Sequence, residues 1–413
     1  MKKQMQKGLS VMRFTNIIFI ISLLVSFQAL ADGEYHKNTL IGGRAATMGG
    51  AYTAISDDAS GAFYNPSGLA FANTSSFSGS ANTYSISNMK YDGAIGGKDW
   101  ERSSNNLKPN FFGVVQKSGN ETYAFSYALT DATVEHQDQM FQNLTDLVTP
   151  ISLYALNLHS EDSTYLIGPS YAKKLSETVS FGASLFYHYR IYRRAQSQLI
   201  RYQGGTDEAS YLNNIKKEKG FKPKVGFMFS PKDKWSVGMS LGKTLIVTSL
   251  NDIQRNEKVD GASTFSFFQT KKTNKRKTPI ELETGVAYFQ SAYLLLSANL
   301  DYYAFTDDKE RKNVVNLSIG SEYFLSEKHA LRAGLFSNRS NSKEPSSSTT
   351  NLEHVDMYGL SLGYTLYSQS TAITFGTVYT MGKGQAQIYD NSAARIDVAK
   401  SSLDFVISAD YGF

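Results

Sequence analysis

The chain has no cysteine, and its 413 residues include only 8 prolines and 2 tryptophans. Without cysteine there can be no disulfide framework, thiolate metal centre, iron–sulfur cluster or cysteine nucleophile. Average usage would place about 20 prolines in this length. Because proline removes a donor from a strand ladder, this shortage, beside 26 Tyr and 25 Phe, favours an all-β chain.

A basic surplus is missing from the body of the chain. The whole sequence has 42 Lys+Arg against 37 Asp+Glu, but Lys2, Lys3, Lys7 and Arg13 precede residue 32, where there is no acidic residue. The remainder is close to neutral, whereas a nucleic-acid binder needs basic charge in its body. We therefore expect no nucleic-acid partner.

Residues 1–31 have the order of a secretory signal peptide, with basic charge first, then an apolar run from Ile17 to Phe27, then the small-residue site Ala29-Leu30-Ala31. The run is shorter than the roughly 20 residues that span a bilayer. We expect the mature chain to start near Asp32, with either Met1 or Met12 as the true start.

From residue 74 onward the sequence alternates with a period of two. Trp235, Val237, Met239 and Leu241, for example, alternate with small or polar residues. This period predicts strands. Fourteen are predicted, at 74–88, 110–118, 121–131, 163–174, 177–193, 221–231, 234–248, 277–290, 292–305, 312–325, 328–339, 353–368, 371–383 and 400–413.

Short and long gaps between these strands alternate along the chain. Short turns surround Gly119, Ser176, Lys232, Ser291, Glu327 and Gln369. Long polar loops are predicted at 89–109, 132–162, 194–220, 249–276, 306–311, 340–352 and 384–399. Short turns at one rim and long loops at the other are typical of bacterial outer-membrane barrels.

Residues 74–413 therefore predict an all-β fold, a 14-stranded antiparallel transmembrane β-barrel in the outer membrane of a Gram-negative-type bacterium. Alternation continues to the terminal Phe413, and a terminal aromatic resembles the signal that the outer-membrane assembly machinery reads. A secreted soluble β-sandwich is the alternative. In lipid, every backbone polar group needs a partner, so a spanning sheet must close on itself.

Residues 32–73 do not alternate and are rich in glycine and alanine, with a turn signal at Asn65-Pro66-Ser67-Gly68. A barrel of fourteen strands is wide enough to leave a lumen. We expect this segment to fold inside the barrel as a plug and close it.

The plug sequence resembles the N-terminal hatch of the FadL family of outer-membrane transporters for long-chain fatty acids and other hydrophobic compounds. The residues that carry the likeness, and the gate it implies, are Gly49, Gly50, Asp57, Asp58, Tyr64, Asn65, Pro66, Ser67 and Gly68. Ser67 stands where the family usually has alanine. The resemblance implies passive uptake of a hydrophobic molecule, expected to be a long-chain fatty acid, with a sideways wall opening near a kink in the third strand. Residues 121–131 contain no glycine or proline, so no kink is expected there.

Some FadL-like barrels import no lipid, and a scaffold or shuttle for secreted or surface proteins is the alternative.

Aromatic residues in two predicted external loops form a candidate capture groove for the hydrophobic molecule. They are Phe265, Phe267 and Phe268, with Tyr202, Tyr211 and Leu212. Exposed aromatic residues often mark an interaction site, although loop packing that caps the barrel would also explain them. The following basic residues, Lys271, Lys272, Lys275, Arg276 and Lys277, could hold a carboxylate, bind lipopolysaccharide phosphates or be solvated.

Charged residues on the predicted inward face form a candidate polar network in the lumen, because charge on the lipid face is costly. They are His188, Arg190, Glu281, Glu283, Asp301, Glu322, Arg332, Asp404 and Asp410. A role in holding the plug to the wall is expected, with direct ligand contact as the alternative.

No catalytic set, cofactor or metal site is expected, and the chain is expected to be a monomer. The stretch Gly238–Thr244 is one residue short of a phosphate-binding loop and lies within a strand. The G-x-S-x-G match at Gly359–Gly363 also lies within a strand, whereas a nucleophile elbow needs a strand-to-helix turn.

Overall fold

The computed structural model describes residues 35–145, 150–205, 207–231, 234–259, 263–306, 308, 311–345, 353–387 and 395–413. The predicted signal peptide, residues 1–31, lies outside the described residues. So do the first residues of the predicted plug and parts of the predicted loops 340–352 and 384–399.

Within these ranges, sixteen strands form one antiparallel sheet. They are β1 (Ser76–Ile95), β2 (Lys98–Ser118), β3 (Glu121–Leu144), β4 (Ile151–Lys174), β5 (Val179–Tyr202), β6 (Asp207–Phe229), β7 (Trp235–Lys243), β8 (Leu245–Lys258), β9 (Ser266–Lys272), β10 (Ile280–Phe289), β11 (Leu294–Ala304), β12 (Val314–Ser326), β13 (His329–Asn338), β14 (Glu353–Tyr367), β15 (Thr371–Ala386) and β16 (Ile396–Gly412).

Fourteen of these strands close into a barrel, which confirms the predicted fold. Strand β16 pairs with both β15 and β1, and β5 pairs with β6, so the ladder returns to its start. Strand β7 pairs with the lower part of β6 and with β10. The remaining two, β8 and β9, form a hairpin whose β8 strand pairs with the upper part of β6.

The predicted loops 89–109, 132–162, 194–220 and 249–276 are wrong, because most of their residues are strand. Strand β3 runs on to Leu144 and β5 to Tyr202, so both are 24 residues long. The hairpin between β1 and β2 turns at Gly96 and Gly97, both with positive φ. Beyond the membrane, water replaces lipid on the outer face. The apolar alternation therefore fades while the backbone ladder continues.

The outward face of the barrel is apolar, and this fixes its environment. On β7, Val237, Met239 and Leu241 are 46–48% exposed, while the inward Ser236 and Ser240 are 1% exposed. Aromatic rings mark both edges of this band, with Trp235 on Tyr288 near the short turns and Tyr165 on Tyr189 toward the long hairpins. Apolar side chains directed outward between two aromatic girdles are the pattern of a transmembrane barrel.

Between residue 35 and the barrel the structure describes three short helices: α1 (Gly43–Thr47), α2 (Gly61–Tyr64) and the 3-10 helix η1 (Pro66–Phe71). Helix α1 touches β13, β14, β15 and β16, whereas η1 touches β3, β4, β5 and β6. The segment 35–72, called here the N-terminal segment, thus lies inside the barrel and reaches opposite walls.

No helix among the described residues is long and apolar enough to cross a membrane.

Candidate functional site: the N-terminal segment and the lumen above it

The Asn65-Pro66 turn is built by its own side chains. Asn65 Oδ1 accepts hydrogen bonds from the Ser67 backbone N (3.2 Å) and from Ser67 Oγ (2.7 Å). Its Nδ2 donates to Thr53 O (2.8 Å) and to Phe227 O of β6 (3.2 Å). The turn is therefore capped, as asparagine before a helix often is, and tied to the wall by the same side chain.

Inward-facing glycines of the wall seat the N-terminal segment. A Cβ added at Gly226 would lie 2.0 Å from Asn65 Oδ1, and one at Gly238 would lie 2.1 Å from Thr53 O. Further glycines in close contact with the segment are Gly182, Gly285, Gly320, Gly334, Gly363 and Gly376, on six other strands. Such close approach leaves no room for a side chain.

Both catalytic look-alike motifs belong to this seat. Ser240, in the stretch resembling a phosphate-binding loop, donates from Oγ to Tyr64 O at 2.9 Å. Ser361, in the G-x-S-x-G match, donates from Oγ to Thr47 O at 3.0 Å. Each serine hydroxyl satisfies a backbone carbonyl of the N-terminal segment from mid-strand.

The predicted gate residues lie together in this segment. Tyr52 donates from its hydroxyl to Asp58 Oδ2 (2.8 Å), and the hydroxyl oxygen of Tyr64 accepts a hydrogen bond from the Ile41 backbone N–H (3.1 Å). Asp58 also accepts from Ser60, and burial raises the pKa of its carboxyl. Gly49 and Gly50 both have positive φ, which glycine adopts without strain.

Ion pairs connect the N-terminal segment to the wall. Arg44 contacts Asp57 (2.8 Å) within the segment and Glu322 of β12 (2.6 Å), and Arg332 of β13 contacts Glu322 as well (2.6 Å). On the other side, Lys37 pairs with Asp301 of β11. Glu322 and Asp301 thus contact the segment directly, and Arg332 is connected to it through Glu322.

Of the other six predicted inward residues, Glu281 and Glu283 pair with lysines of β6. Glu283 pairs with Lys224 (2.8 Å), whose Nζ also donates to Phe63 O of the N-terminal segment (2.6 Å). Glu281 pairs with Lys222 (2.7 Å). The remaining four lie elsewhere on the wall: His188 and Arg190 on β5, and Asp404 and Asp410 on β16.

Sequence reasoning predicted Arg190 and Arg332 but missed four other cations of this network, Lys37, Arg44, Lys222 and Lys224. Lys222 and Lys224 alternate with apolar residues in β6, and Glu281 and Glu283 have the same spacing in β10, on the far side of β7. Opposite charges at every second position of two strands indicate side chains that pair inside the barrel. Arg190 binds Asp162 (2.5 Å), and Arg276 binds Glu218 (2.8 Å), but those partners fell in stretches predicted as loops.

Above the N-terminal segment the lumen contains two cavities, of about 240 and 130 Å³. The larger one is lined both by charged side chains, including Arg102, Asp131, Glu135 and Arg194, and by apolar ones such as Leu129 and Phe336. An apolar cluster that includes Trp100 and Tyr202 fills the rim above. The smaller cavity reaches Gly50, Phe63 and Tyr64 of the N-terminal segment, and charged side chains such as Lys222 and Glu281 also border it.

The wall has an interrupted seam between β2 and β3. Their ladder runs only from Ser118↔Glu121 to Phe111↔Ala128, although β2 continues to pair with β1 and β3 with β4. Above it, side chains bridge the two strands, including an Arg102–Glu135 ion pair and a hydrogen bond from Asn106 to the Ala132 carbonyl. Several residues of this seam border the larger cavity.

A bulge lies at the start of the seam, although no kink was expected in residues 121–131. Leu129 pairs with Tyr165 and Asp131 with Thr164, so Thr130 is the extra residue. A bulge adds one residue and requires neither glycine nor proline, so composition did not reveal it. At the bulge the inward and outward positions of β3 exchange, and the side chain of Leu129 is buried.

The structure brings together only part of the predicted capture groove. Phe265, Phe267 and Phe268 lie at the β8–β9 hairpin and are 52–63% exposed. Tyr211 aligns with Phe267 through the intervening Asn256. Tyr202 and Leu212 are instead buried. Successive side chains of β6 point to opposite faces of the sheet, so Tyr211 and Leu212 cannot share one external groove.

Comparison with known proteins identifies the fold. No family model and no curated protein matches the sequence. The solved toluene transporter TodX of P. putida matches with a TM-score of 0.68 at 12% identity, covering 92% of this chain and 99% of that chain. A Pseudomonas aeruginosa FadL homologue gives 0.65 at 12%, covering 90% and 98%. The Ralstonia pickettii toluene transporter TbuX gives 0.63 at 13%, covering 92% and 99%. At such identities the likeness shows a shared fold alone.

Proposed function

The chain is an outer-membrane β-barrel of the FadL-like fold, and we propose that it is a passive channel for hydrophobic small molecules. The observation that carries this proposal is the interrupted β2–β3 seam beside the larger luminal cavity. A molecule that leaves sideways through a wall enters lipid and avoids the aqueous periplasm. Side-chain bridges can open without breaking a continuous backbone ladder.

In this proposal the N-terminal segment is the plug. It occupies the lumen below the cavities, and its ion pairs and glycine seats hold it in the closed state. Movement of residues 35–40, which border both cavities, would enlarge the space available to a ligand. The channel needs no nucleotide and works down a concentration gradient.

Cavity size bears on the cargo. A cavity of about 150 Å³ can hold benzene, and the larger cavity here has about 240 Å³. Pockets for drug-sized ligands have roughly 300–1,000 Å³. A molecule with one aromatic ring would fit with little rearrangement, whereas a long-chain fatty acid, the cargo expected from the sequence, requires the plug to move. TodX and TbuX, which share this fold, are toluene transporters. Their cargo agrees with a small cargo for this chain.

Two external features complete the proposal. The exposed Phe265, Phe267 and Phe268 collect the hydrophobic molecule, and lysines such as Lys271 face lipopolysaccharide at the outer surface. At the other end, Phe413 is 63% exposed and available to the assembly machinery. We propose that the barrel acts as a monomer.

Whole-cell uptake with the full chain tests the proposal. Cells that express the protein should accumulate labelled toluene, and more slowly labelled oleate, faster than matched cells without it. Uptake of neither compound above background, in cells where the barrel is folded, would contradict transport. It would favour the scaffold alternative, which the apolar filling of the rim also supports.

A further inference from the structure

Two histidines form an exposed pair on the outer surface of the barrel. His136 of β3 and His159 of β4 are direct cross-strand partners, with their Nδ1 atoms 3.0 Å apart. The ring centroids are 4.3 Å apart. Glu135 and Gln137, which flank His136, are buried on the luminal side. Both imidazoles therefore point away from the lumen and are open to solvent.

The pair lies well outside the membrane. Along β4, His159 is six residues beyond Tyr165, whose ring contacts Tyr189 in the outer aromatic girdle. At about 3.3 Å per residue this is roughly 20 Å along the strand. The pair is thus accessible to aqueous ions and separated from the luminal cavities by the wall.

The spacing of the two nitrogens suits one metal ion. With metal–nitrogen bonds of about 2.0–2.1 Å, a nitrogen separation of 3.0 Å gives an angle of about 94° at the metal. This angle is close to the right angle between neighbouring ligands in the square-planar or tetragonal geometry of Cu²⁺. A tetrahedral Zn²⁺ ion would require a separation of about 3.3 Å.

We propose that His136 and His159 bind a Cu²⁺ ion through their Nδ1 atoms. In the observed contact one Nδ1 carries the hydrogen and the other accepts it. On binding, that hydrogen is replaced by the metal and the ring carries its hydrogen on Nε2, so both imidazoles remain neutral ligands. Imidazole suits Cu²⁺, which heads the affinity order of the divalent first-row ions.

The surroundings of the pair are compatible with a cation. Asp138, two residues along β3 on the same face, forms no ion pair among the described residues and adds negative charge nearby. Glu161, on the other side, is 3.5 Å from Arg193. No group of three or more His, Cys, Asp or Glu in the described part of the chain could hold a metal. Water therefore fills the other positions.

Titration of the full chain with CuCl₂, in detergent free of lipopolysaccharide, tests the proposal. Electron paramagnetic resonance should report one Cu²⁺ with two equivalent nitrogen ligands. His136→Asn and His159→Asn should each weaken binding at least tenfold and remove the two-nitrogen signal. Both substitutions are at exposed positions, and the gel mobility of the unheated barrel checks folding.

His329→Asn is the matched control, because His329 of β13 is hydrogen-bonded to Tyr364 and lies outside the pair. It should leave the two-nitrogen signal unchanged. The proposal is overturned if the double His136/His159 variant binds Cu²⁺ as tightly as the unaltered chain, or if the unaltered chain shows no two-nitrogen signal.

Discussion

Arg44 in the N-terminal segment and Glu322 on β12 are joined by two hydrogen bonds, from Nε to Oε1 at 3.1 Å and from Nη2 to Oε2 at 2.6 Å. Glu322 also binds Arg332 on the neighbouring strand. One buried carboxylate thus balances two guanidinium groups, one on the segment and one on the wall. This arrangement couples the position of the segment to the barrel.

Glu322→Gln should therefore loosen the N-terminal segment. Removing one partner of a buried ion pair costs about 3–5 kcal/mol, and we expect a loss of about 3 kcal/mol here. Denaturant unfolding of the detergent-solubilised barrel measures the loss. Glu121→Gln is the control, since the Glu121–Lys173 pair is exposed and such pairs contribute about 0–1 kcal/mol. Equal stability of the two variants would contradict the coupling.

Gly226→Ala should displace the Asn65-Pro66 turn. The added methyl carbon would lie 2.0 Å from Asn65 Oδ1, so the turn or the strand must shift. Faster hydrogen exchange across residues 61–71 is the expected result. Gly79→Ala, where an added Cβ meets nothing within 4 Å, should leave that exchange unchanged. Exchange that is equally slow in both variants would show that the seat is not tight.

Cross-linking the β2–β3 seam should block transport. The chain contains no cysteine, so Asn106→Cys with Ala132→Cys introduces a thiol pair with no background. Oxidation, or a short bis-thiol reagent, should reduce toluene uptake at least tenfold, and reduction of the disulfide should restore it.

Val114→Cys with Phe125→Cys provides the control for that experiment, because these residues are already partners in the β2–β3 ladder. Its cross-link should leave uptake unchanged. Normal uptake through the cross-linked Asn106/Ala132 barrel would exclude the seam as the exit and leave the other parts of the transport proposal standing.

Replacing Phe265, Phe267 and Phe268 by Ser should slow the capture of cargo and leave the barrel stable, because all three side chains are exposed. We expect a several-fold lower initial uptake rate at low substrate concentration and a smaller effect at saturation. Met140→Ser, at an exposed site on β3, serves as the control. Unchanged uptake by the triple variant would remove the capture role.

Acid should loosen the start of the N-terminal segment through His36. Its ring stacks on Tyr303 with centroids 3.9 Å apart, and burial lowers the pKa of His36 to about 3, against the attraction of Glu281. The unfolded segment takes up a proton below about pH 6.5, while the packed one does not. The segment is therefore destabilised as pH falls from about 6.5 toward 3. Its opening constant rises by at most tenfold per pH unit.

Hydrogen exchange of residues 35–40 between pH 7 and 5, corrected for the intrinsic exchange rate, measures this loss. His36→Gln cannot titrate, so its corrected exchange should not change over the same range. A pH response of equal size in both proteins would assign the effect to other groups.

The amino-acid sequence was enough to predict a barrel with an apolar outer face and charges inside it, although a soluble β-sandwich remained the alternative. Lipid touches one face of each spanning strand, so Val237, Met239 and Leu241 had to be apolar while Ser236 and Ser240 could be small. This requirement imposes a period of two that can be recognised within one strand. The alternating charges of β10, Glu281 and Glu283, identified the lumen for the same reason.

The ends of the strands, the interruption of the wall and the contacts between distant residues became visible in the three-dimensional structure alone. Above the membrane both faces of a strand can be polar, so β3 and β5 lost the pattern but kept their ladders. The β2–β3 seam, the seat of Asn65 against Gly226 and the His136–His159 pair depend on cross-strand register. Register is set by contacts between residues distant in sequence, which the local alternation does not encode.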